Sequence, residues 1–292
     1  MTDIRAVLDL ERLDRDIYRG PVVDTILKRT FGGQVAGQAL VAAERTVDRR
    51  FLVHSLHGYF LRPGNPKMPT VYLIDRVKDG RSFCARRVSA VQDGETIFSM
   101  SASFHIPEDG LVHQDTMPTV PAPEGLVDPR TSDDPSEAAW FGSEWGDWDL
   151  REVPAEDIDA ESRQAAQQRV WMRYSKPLPD DPVLHICALA YMSDMTLLSA
   201  GSVPHEGQET ANASLDHAMW FLRPFRADDW LLYDQTSPSA GFGRALTQGR
   251  IFTRGGTLAA AVVQEGLMRP VAPGGGSLLV DDQVGDQVDD RA

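Results

Sequence analysis

The chain is poor in cysteine, with only Cys84 and Cys187 among 292 residues. The two lie far apart and show neither a disulfide framework nor metal-ligand spacing, so a reducing, cytoplasmic setting is expected. No apolar run is read as reaching the ~18 residues of a membrane span, and the opening stretch MTDIRAVLDLERLDRD is too charged for the apolar core of a signal peptide. No membrane partner is expected. The last residues, DDRA, carry no Ser-Lys-Leu peroxisomal address. Positive charge is also in short supply: 29 Lys and Arg face 43 Asp and Glu, a net charge of −14. Such a field repels phosphate backbones and disfavours nucleic acid as a partner.

The common catalytic signatures are missing as well. There is no G-x-S-x-G elbow and no Walker loop, and Gly241-Phe242-Gly243 lacks the third glycine of a dinucleotide fingerprint. No H-E-x-x-H or paired C-x-x-C occurs, so no metal and no cofactor is expected. Any chemistry has to come from ordinary polar side chains in unusual surroundings.

What is present is a globular composition, 42% hydrophobic and 25% charged, in a chain long enough for about two domains. Phe60-Leu61-Arg62-Pro63 recurs as Phe221-Leu222-Arg223-Pro224, and Tyr72 and Tyr233 share the same spacing. Each copy is followed by extended apolar stretches and a tight-turn signal, Asp93-Gly94 in the first and Gly255-Gly256 in the second. Two copies of one domain are therefore predicted, over residues 8–106 and 148–270. In the first, residues 32–47 read as a helix lined with small residues on several sides, which implies burial, and 51–62, 70–78, 82–92 and 95–105 read as strands. In the second, Asp181 and Pro182 start a helix that Gly201 can end, with strands near 169–174, 211–222, 229–236, 243–253 and 257–269. A buried helix followed by an antiparallel meander gives an α+β domain whose sheet wraps the helix. The linker at 107–147 is rich in Pro, Asp and Glu; Trp140 and Trp145 within it and Trp148 beside it imply that it docks on the domains or forms a lid. Residues 271–292 form a Gly-rich, then acidic tail, read as disordered.

Three polar residues stand out. Asp194 falls on the apolar stripe of the second predicted helix, with Cys187, Ala190, Tyr191, Leu197 and Leu198 at helical spacing, and a carboxylate there needs hydrogen-bond donors or a reaction to serve. Gln264 is an amide in the apolar strand TLAAAVVQEGLMR; aligning the hairpin turns sets it opposite Ala102, on the core face, whereas a one-residue slip would reverse it. Ser214 opens the stretch SLDHAMWFLRPF, where hydroxyls often satisfy backbone. Asp216 and His217 are strand neighbours and so point to opposite faces, which rules them out as a dyad in a regular strand. His54 and His57 either orient a ligand or satisfy the sheet.

The stretches FGGQVAGQAL, VHSLHGYFLRPG, DGRSFCARRVSAVQDG, LDHAMWFLRPF and VQEGLMR, in this order over residues 8–270, resemble the type II acyl-CoA thioesterases. The resemblance implies a double hotdog fold, two antiparallel sheets each wrapped around a central helix, and a homo-oligomer acting on acyl-CoA. It also implies a catalytic set of Asp194, Ser214 and Gln264 that activates a water for thioester hydrolysis without an acyl-enzyme. Because coenzyme A is polyanionic and the chain acidic, His57, Arg86, Arg87 and Arg223, with Arg226, are candidates for the substrate entrance. Two alternatives stay open at this point: a hotdog hydratase or dehydratase, for which His57 and Asp216 are the loose candidates, and a non-catalytic acyl-CoA-binding protein.

Overall fold

Helix α2 (Gly32–Glu44) is buried along nearly its whole length, from Gly33 to Ala43. Its small side chains permit this, because they let a second helix approach backbone to backbone. A Cβ on Gly33 would lie 2.1 Å from the Tyr191 carbonyl oxygen, and one on Gly37 3.1 Å from that of Cys187. The partner is α4 (Pro182–Met192), capped by Asp181, whose carboxylate accepts from the Val183 N–H, with Pro182 in the first turn. The contacts run Gly33 to Tyr191 and Gly37 to Cys187, so the two helices are antiparallel.

The computed structural model describes residues 3–158, 164–205 and 207–271; nearly all of the tail at 271–292 lies outside the described residues. In the N-terminal half, a short helix α1 (Ile4–Val7) and a hairpin, β1 (Glu11–Asp14) and β2 (Ile17–Gly20), precede α2. Strands β3 (Leu52–Phe60), β4 (Thr70–Asp79), β5 (Phe83–Gln92) and β6 (Glu95–His105) follow it. The C-terminal half starts with β7 (Trp148–Glu152) and β8 (Gln167–Tyr174). After α4 come β9 (Thr210–Ser214), β10 (Asp216–Phe221), β11 (Leu231–Gly241), β12 (Arg244–Thr253) and β13 (Leu258–Pro270). The predicted strands of both copies are found near their expected ends, except that the stretch 211–222 is split into β9 and β10 and the strand expected to end at 236 runs on to Gly241. The β1–β2 hairpin escaped prediction because β1 is exposed throughout and β2 buries only Tyr18 and Gly20, so neither strand alternates clearly.

The two sheets do not stay separate. β3 and β10 pair antiparallel from Ser55–Trp220 to Tyr59–Asp216, giving the path β1-β2-β4-β5-β6-β3-β10-β13-β12-β11-β8-β7, with β9 also on β13. Joining the halves this way removes two open sheet edges. The path reads the same from both ends under the exchange of β3 with β10, β6 with β13, β5 with β12 and β4 with β11. The halves are thus related by a pseudo-twofold axis at the β3–β10 seam, and Gly37 meets Cys187 where α2 crosses α4. The Asp93-Gly94 turn has both residues at positive φ, 48° and 77°, as its sequence predicts.

The linker docks. It contains α3 (Pro135–Trp145), whose Phe141 is buried, and Glu144 accepts hydrogen bonds from Thr25 Oγ1 and the Ile26 N–H. Trp145 packs edge-on against Phe31, and Phe31 against Tyr191, so α3 closes over the loop that leads into α2. The segment Pro182–Gly201 is long and apolar enough, with a mean hydropathy of 1.4, to cross a membrane on length and composition alone, which the sequence reading did not find. In the fold this stretch is the wrapped core helix and breaks after Met192.

Candidate active site

Asp194 is not on the helix. α4 ends at Met192, with Ser193 as its C-cap, and Asp194 lies in the turn before the 3-10 segment Leu197–Gly201. Ser193 sets this geometry: its N–H bonds Leu189 O, and its hydroxyl lies 3.0 Å from Ala190 O and 2.8 Å from His217 Nε2. The Asp194 carboxylate, 5% exposed, is thereby aimed at the N-terminus of α2. Its Oδ2 is so close to Gly32 that a Cβ there would lie 2.5 Å away, and the Gly33 N–H points at the carboxylate. The first turn of a helix carries unpaired N–H groups and partial positive charge, and both suit an anion.

Ser214 and Gln264 complete the group. Gln264, 1% exposed, faces the interior from β13, as the turn alignment predicts. Its Nε2 donates to Asp194 Oδ1 at 2.8 Å and to Ser214 Oγ at 2.6 Å. The Ser214 hydroxyl, partly exposed, donates to Asp194 Oδ1 at 3.3 Å. Ser214 reaches this face through an irregularity. β9 pairs Ser214 with Gly266, whereas β10 pairs Ala218 with Val263, so the two registers differ by one residue around Leu215. That extra residue reverses the alternation, and Ser214 and His217 both turn inward although three positions apart, a local re-aiming characteristic of β-bulges beside active sites.

His217 is the functional neighbour that strand alternation did not bring to the site. It is fully buried on β10, with Nδ1 3.9 Å from Asp194 Oδ1. No signal in the sequence marks the irregularity that brings it there; the change of register around Leu215 is visible only in the strand pairing. Burial pushes the Asp194 carboxyl above the usual aspartate range, a shift moderated by His217, Gln264, Ser214 and the Gly33 N–H. Burial also pushes the His217 imidazole below its usual range, partly offset by Asp194, which favours the neutral ring. The result is a desolvated carboxylate surrounded by donors and a neutral imidazole. This arrangement can hold a water and accept its proton.

The expected entrance residues fare differently. Arg86 is 2% exposed and spends its donors inside the protein, on Thr46 Oγ1 and O, Lys78 O, Ala85 O and Asp79. It is a structural guanidinium tying β5 to the end of α2, not an entrance residue; its charge misled because sequence alone did not reveal the ring of carbonyls around it. Arg223 donates to Leu258 O and His113 O, fastening the linker to β13. Arg226 is paired with Asp228 and Asp180. Arg87 is exposed on β5. His57 is exposed on the outer face of β3, edge-on to Trp220 at 5.0 Å. Asp216 shares that outer face, opposite Tyr59 in register, and bonds the Glu265 N–H. The His57 and Asp216 pair considered for a hydratase therefore lies across the sheet from Asp194.

A sequence profile of the acyl-CoA thioesterase family matches residues 143–267, and one of the acyl-CoA thioesterase N-terminal domain matches residues 21–105. Human acyl-coenzyme A thioesterase 8 is 40% identical over 282 residues, spanning 91% of this chain and 88% of that protein. The crystal structure of the acyl-CoA thioesterase II TesB2 of Mycobacterium marinum superposes with a TM-score of 0.81 at 55% identity, over 92% of this chain and 98% of that one. A hot-dog-fold protein of Alicyclobacillus acidocaldarius, 22% identical, shares the fold with a TM-score of 0.76 over 93% of this chain and 100% of the other. Two helix-wrapped halves and these likenesses over nine-tenths of the length make the chain a double-hotdog protein of the type II acyl-CoA thioesterase family.

Proposed function

We propose that the protein hydrolyses acyl-CoA to a free carboxylic acid and coenzyme A, with Asp194, Ser214 and Gln264 as its catalytic residues. The observation that carries this reading is the convergence of the three, from the α4 turn, β9 and β13, on Asp194 Oδ1, with contacts of 2.6–3.3 Å in a desolvated setting. In the reaction, water held against Asp194 and Ser214 attacks the thioester carbonyl while Asp194 takes its proton. The tetrahedral intermediate then expels the coenzyme A sulfur, which takes the proton back from Asp194. No bond to the protein forms. The raised position of the Asp194 carboxyl supports the role, because a carboxylate raised by burial is a stronger proton acceptor than an ordinary aspartate. The Gly33 N–H is engaged by Asp194, and the other first-turn N–H groups of α2, which the helix itself leaves without a partner, are proposed as donors for the developing oxyanion.

The same reading places the enzyme in the cytosol as a homo-oligomer. Two free, buried cysteines suit a reducing compartment. Tyr59 and Leu73, 62% and 41% exposed, flank Ser99 and Ser89 in one register row across β3, β6, β5 and β4 on the outer face, a small-residue surface with apolar ends that supports contact with a second copy. The test is release of coenzyme A thiol from short, medium and long acyl-CoAs by wild type and Asp194→Asn side by side. No thiol release by the wild type on any chain length would refute the proposal, and sedimentation of the same samples reads the oligomer.

A further inference from the structure

The turn that carries Asp194 is gripped from β11, a strand that supplies none of the three reacting side chains. Tyr233 and Gln235 lie two apart on β11, share its inner face and are fully buried. Tyr233 Oη donates to the Ser193 carbonyl oxygen at 3.2 Å, and Gln235 Nε2 donates to Thr196 Oγ1 at 2.6 Å. One bond falls just before Asp194 and the other just beyond it. Because α4 stops at Met192, the Ser193 carbonyl is one of those a helix end leaves without an intrahelical donor. A carbonyl only accepts, so the direction of the Tyr233 hydroxyl proton is fixed. Burial, reinforced by the Asp194 charge, pushes the Tyr233 phenol well above its ordinary range and keeps that proton in place. The ring takes its room from β12: a Cβ on Gly249, the residue opposite Gln235, would lie 2.2 Å from Tyr233 Cε2.

The N-terminal half shows the same strand pair without this grip. The spacing that sets Tyr72 against Tyr233 also sets Ile74 against Gln235 and Val88 against Gly249, and Ile74 pairs with Val88 as Gln235 pairs with Gly249. Tyr72 Oη reaches Gln38 Oε1 in the middle of α2, at 2.7 Å. The tyrosine is common to both halves, whereas the amide and the glycine belong to the half that carries Asp194. Gln235 is also only partly satisfied, since its Oε1 has no partner. An isoleucine fits the equivalent position, so a buried amide with an idle acceptor stands there at a cost to stability, and the bond it makes is to the Asp194 turn.

We propose that Tyr233 and Gln235 are positioning residues for the thioesterase reaction: by holding Ser193 O and Thr196 Oγ1, they fix the turn so that the Asp194 carboxylate stays against Gln264 and Ser214. The Ser193 carbonyl and the Asp194 N–H belong to one planar peptide, so holding the oxygen sets the plane from which the Asp194 side chain departs. Misplacing a reacting group by about 1 Å costs about a hundredfold in rate. Both residues act through the turn rather than on the carboxylate itself. The inference rests on the catalytic reading of Asp194, Ser214 and Gln264.

The test compares two phenol deletions in the full chain. Tyr233→Phe and Tyr72→Phe each remove one buried hydroxyl and its hydrogen bond and keep the ring, but only the first loosens the Asp194 turn. Both should melt within about 4 °C of wild type. Tyr233→Phe should lower kcat by about tenfold to a hundredfold with KM for a medium-chain acyl-CoA within about threefold of wild type, and Tyr72→Phe should leave both unchanged. Thr196→Val, which takes the partner from Gln235, should lower kcat by about threefold to tenfold, and Thr196→Ser, which keeps the hydroxyl, should recover most of that loss. In an Asp194→Asn background Tyr233→Phe should cost nothing further, because no base is left to position, whereas a general loosening of the fold would lower the residual rate again. A Tyr233→Phe enzyme with kcat within twofold of wild type, or equal losses in Tyr233→Phe and Tyr72→Phe, overturns the proposal. If Tyr233→Phe fails to fold, the Thr196 pair decides, and equal kcat in those two variants overturns it. Full turnover by Asp194→Asn alone overturns the catalytic reading instead, an outcome read without any change to β11.

Discussion

Replacing Asp194 by Asn changes one oxygen into an NH2 group and leaves shape and volume almost untouched. The amide oxygen can still accept from Gln264 Nε2 and Ser214 Oγ, which now lie 2.8 and 3.3 Å from Oδ1. Substrate binding should therefore survive, with KM within about threefold of wild type. What disappears is the ability to take a proton from water. General-base catalysis contributes about 10² to 10⁴ in rate, which at 1.36 kcal/mol per tenfold is about 3–5 kcal/mol of transition-state stabilisation, so kcat should fall at least about a hundredfold. Two further readouts bear on the same atom. Wild-type activity should decline toward acid as Asp194 is protonated, with a midpoint above the ordinary aspartate range because burial raises it, and the residual activity of the variant should lack that limb. A carboxyl raised in the folded state stabilises the fold fully only below its unfolded value and loses that contribution as pH rises through its folded one. The variant, which carries no charge there, should melt higher than wild type at neutral pH. The assay is thiol release across pH, paired with calorimetry. A variant with kcat within threefold of wild type, or one that keeps the acid limb, would refute the base assignment.

Glu44 offers a stability test remote from the chemistry: burial pushes its carboxyl up to about 7 from 4.5, and its Oε1 has no partner. Wild-type stability should drop by about 3 kcal/mol as pH rises from 4.5 through 7, and Glu44→Gln should flatten that slope; an unchanged slope in urea titrations would count against it. Gly33→Ala should separate α2 from α4, since its Cβ would lie 2.1 Å from a backbone oxygen, lowering melting temperature and turnover together; wild-type values for both would contradict the packing. Arg86→Met should destabilise by about 2 kcal/mol, because the Thr46 and Lys78 carbonyls lose their donor, while KM for acyl-CoA stays put. A raised KM with unchanged stability would return Arg86 to the substrate entrance.

Much of this molecule can be read from its sequence because local pattern and tertiary role agree. The small-residue run at 32–44 is a buried helix because nothing else lets two helix backbones touch. The alternation of Phe98, Met100, Ala102 and Phe104 with Ser99, Ser101 and Ser103 marks one buried face, and the repeat of Phe-Leu-Arg-Pro marks the two halves. Asp194 and Gln264 could be selected because a polar group in an apolar pattern is visible as a violation. Where local and tertiary signals part, the reading failed. Periodicity carried α4 to Gly201, but the Ser193 side chain bonds back to Ala190 and the helix stops at Met192. Ser214 and His217, three positions apart, would face opposite ways in a regular strand, and only the extra residue at Leu215 puts both on one face. Arg86 looked like a surface cation because the carbonyls that hold it come from β4, β5 and the end of α2, which no single segment reveals.

The pseudo-twofold axis implies that the reaction centre has a mirror partner elsewhere in the chain, and its address can be worked out. Counted from the starts of α2 and α4, Asp194 corresponds to Glu44. Through the paired registers, Gln264 corresponds to Ala102, Ser214 to Val53 and His217 to Leu56. Of these four counterparts Glu44 alone opens on a cavity, one of about 1020 Å³ at the other end of the helix pair, which Arg5, Arg45, Val41 and Pro182 also line. It holds a carboxylate in the position of the catalytic one, but apolar side chains stand where the serine, the amide and the imidazole would be. Stripped of those donors, the acid is left with an unpartnered oxygen and a proton it gives up only near neutrality. The two halves share one fold without sharing one set of polar groups: the proposed centre lies beside α2's start, and its counterpart at α2's end keeps only the acid.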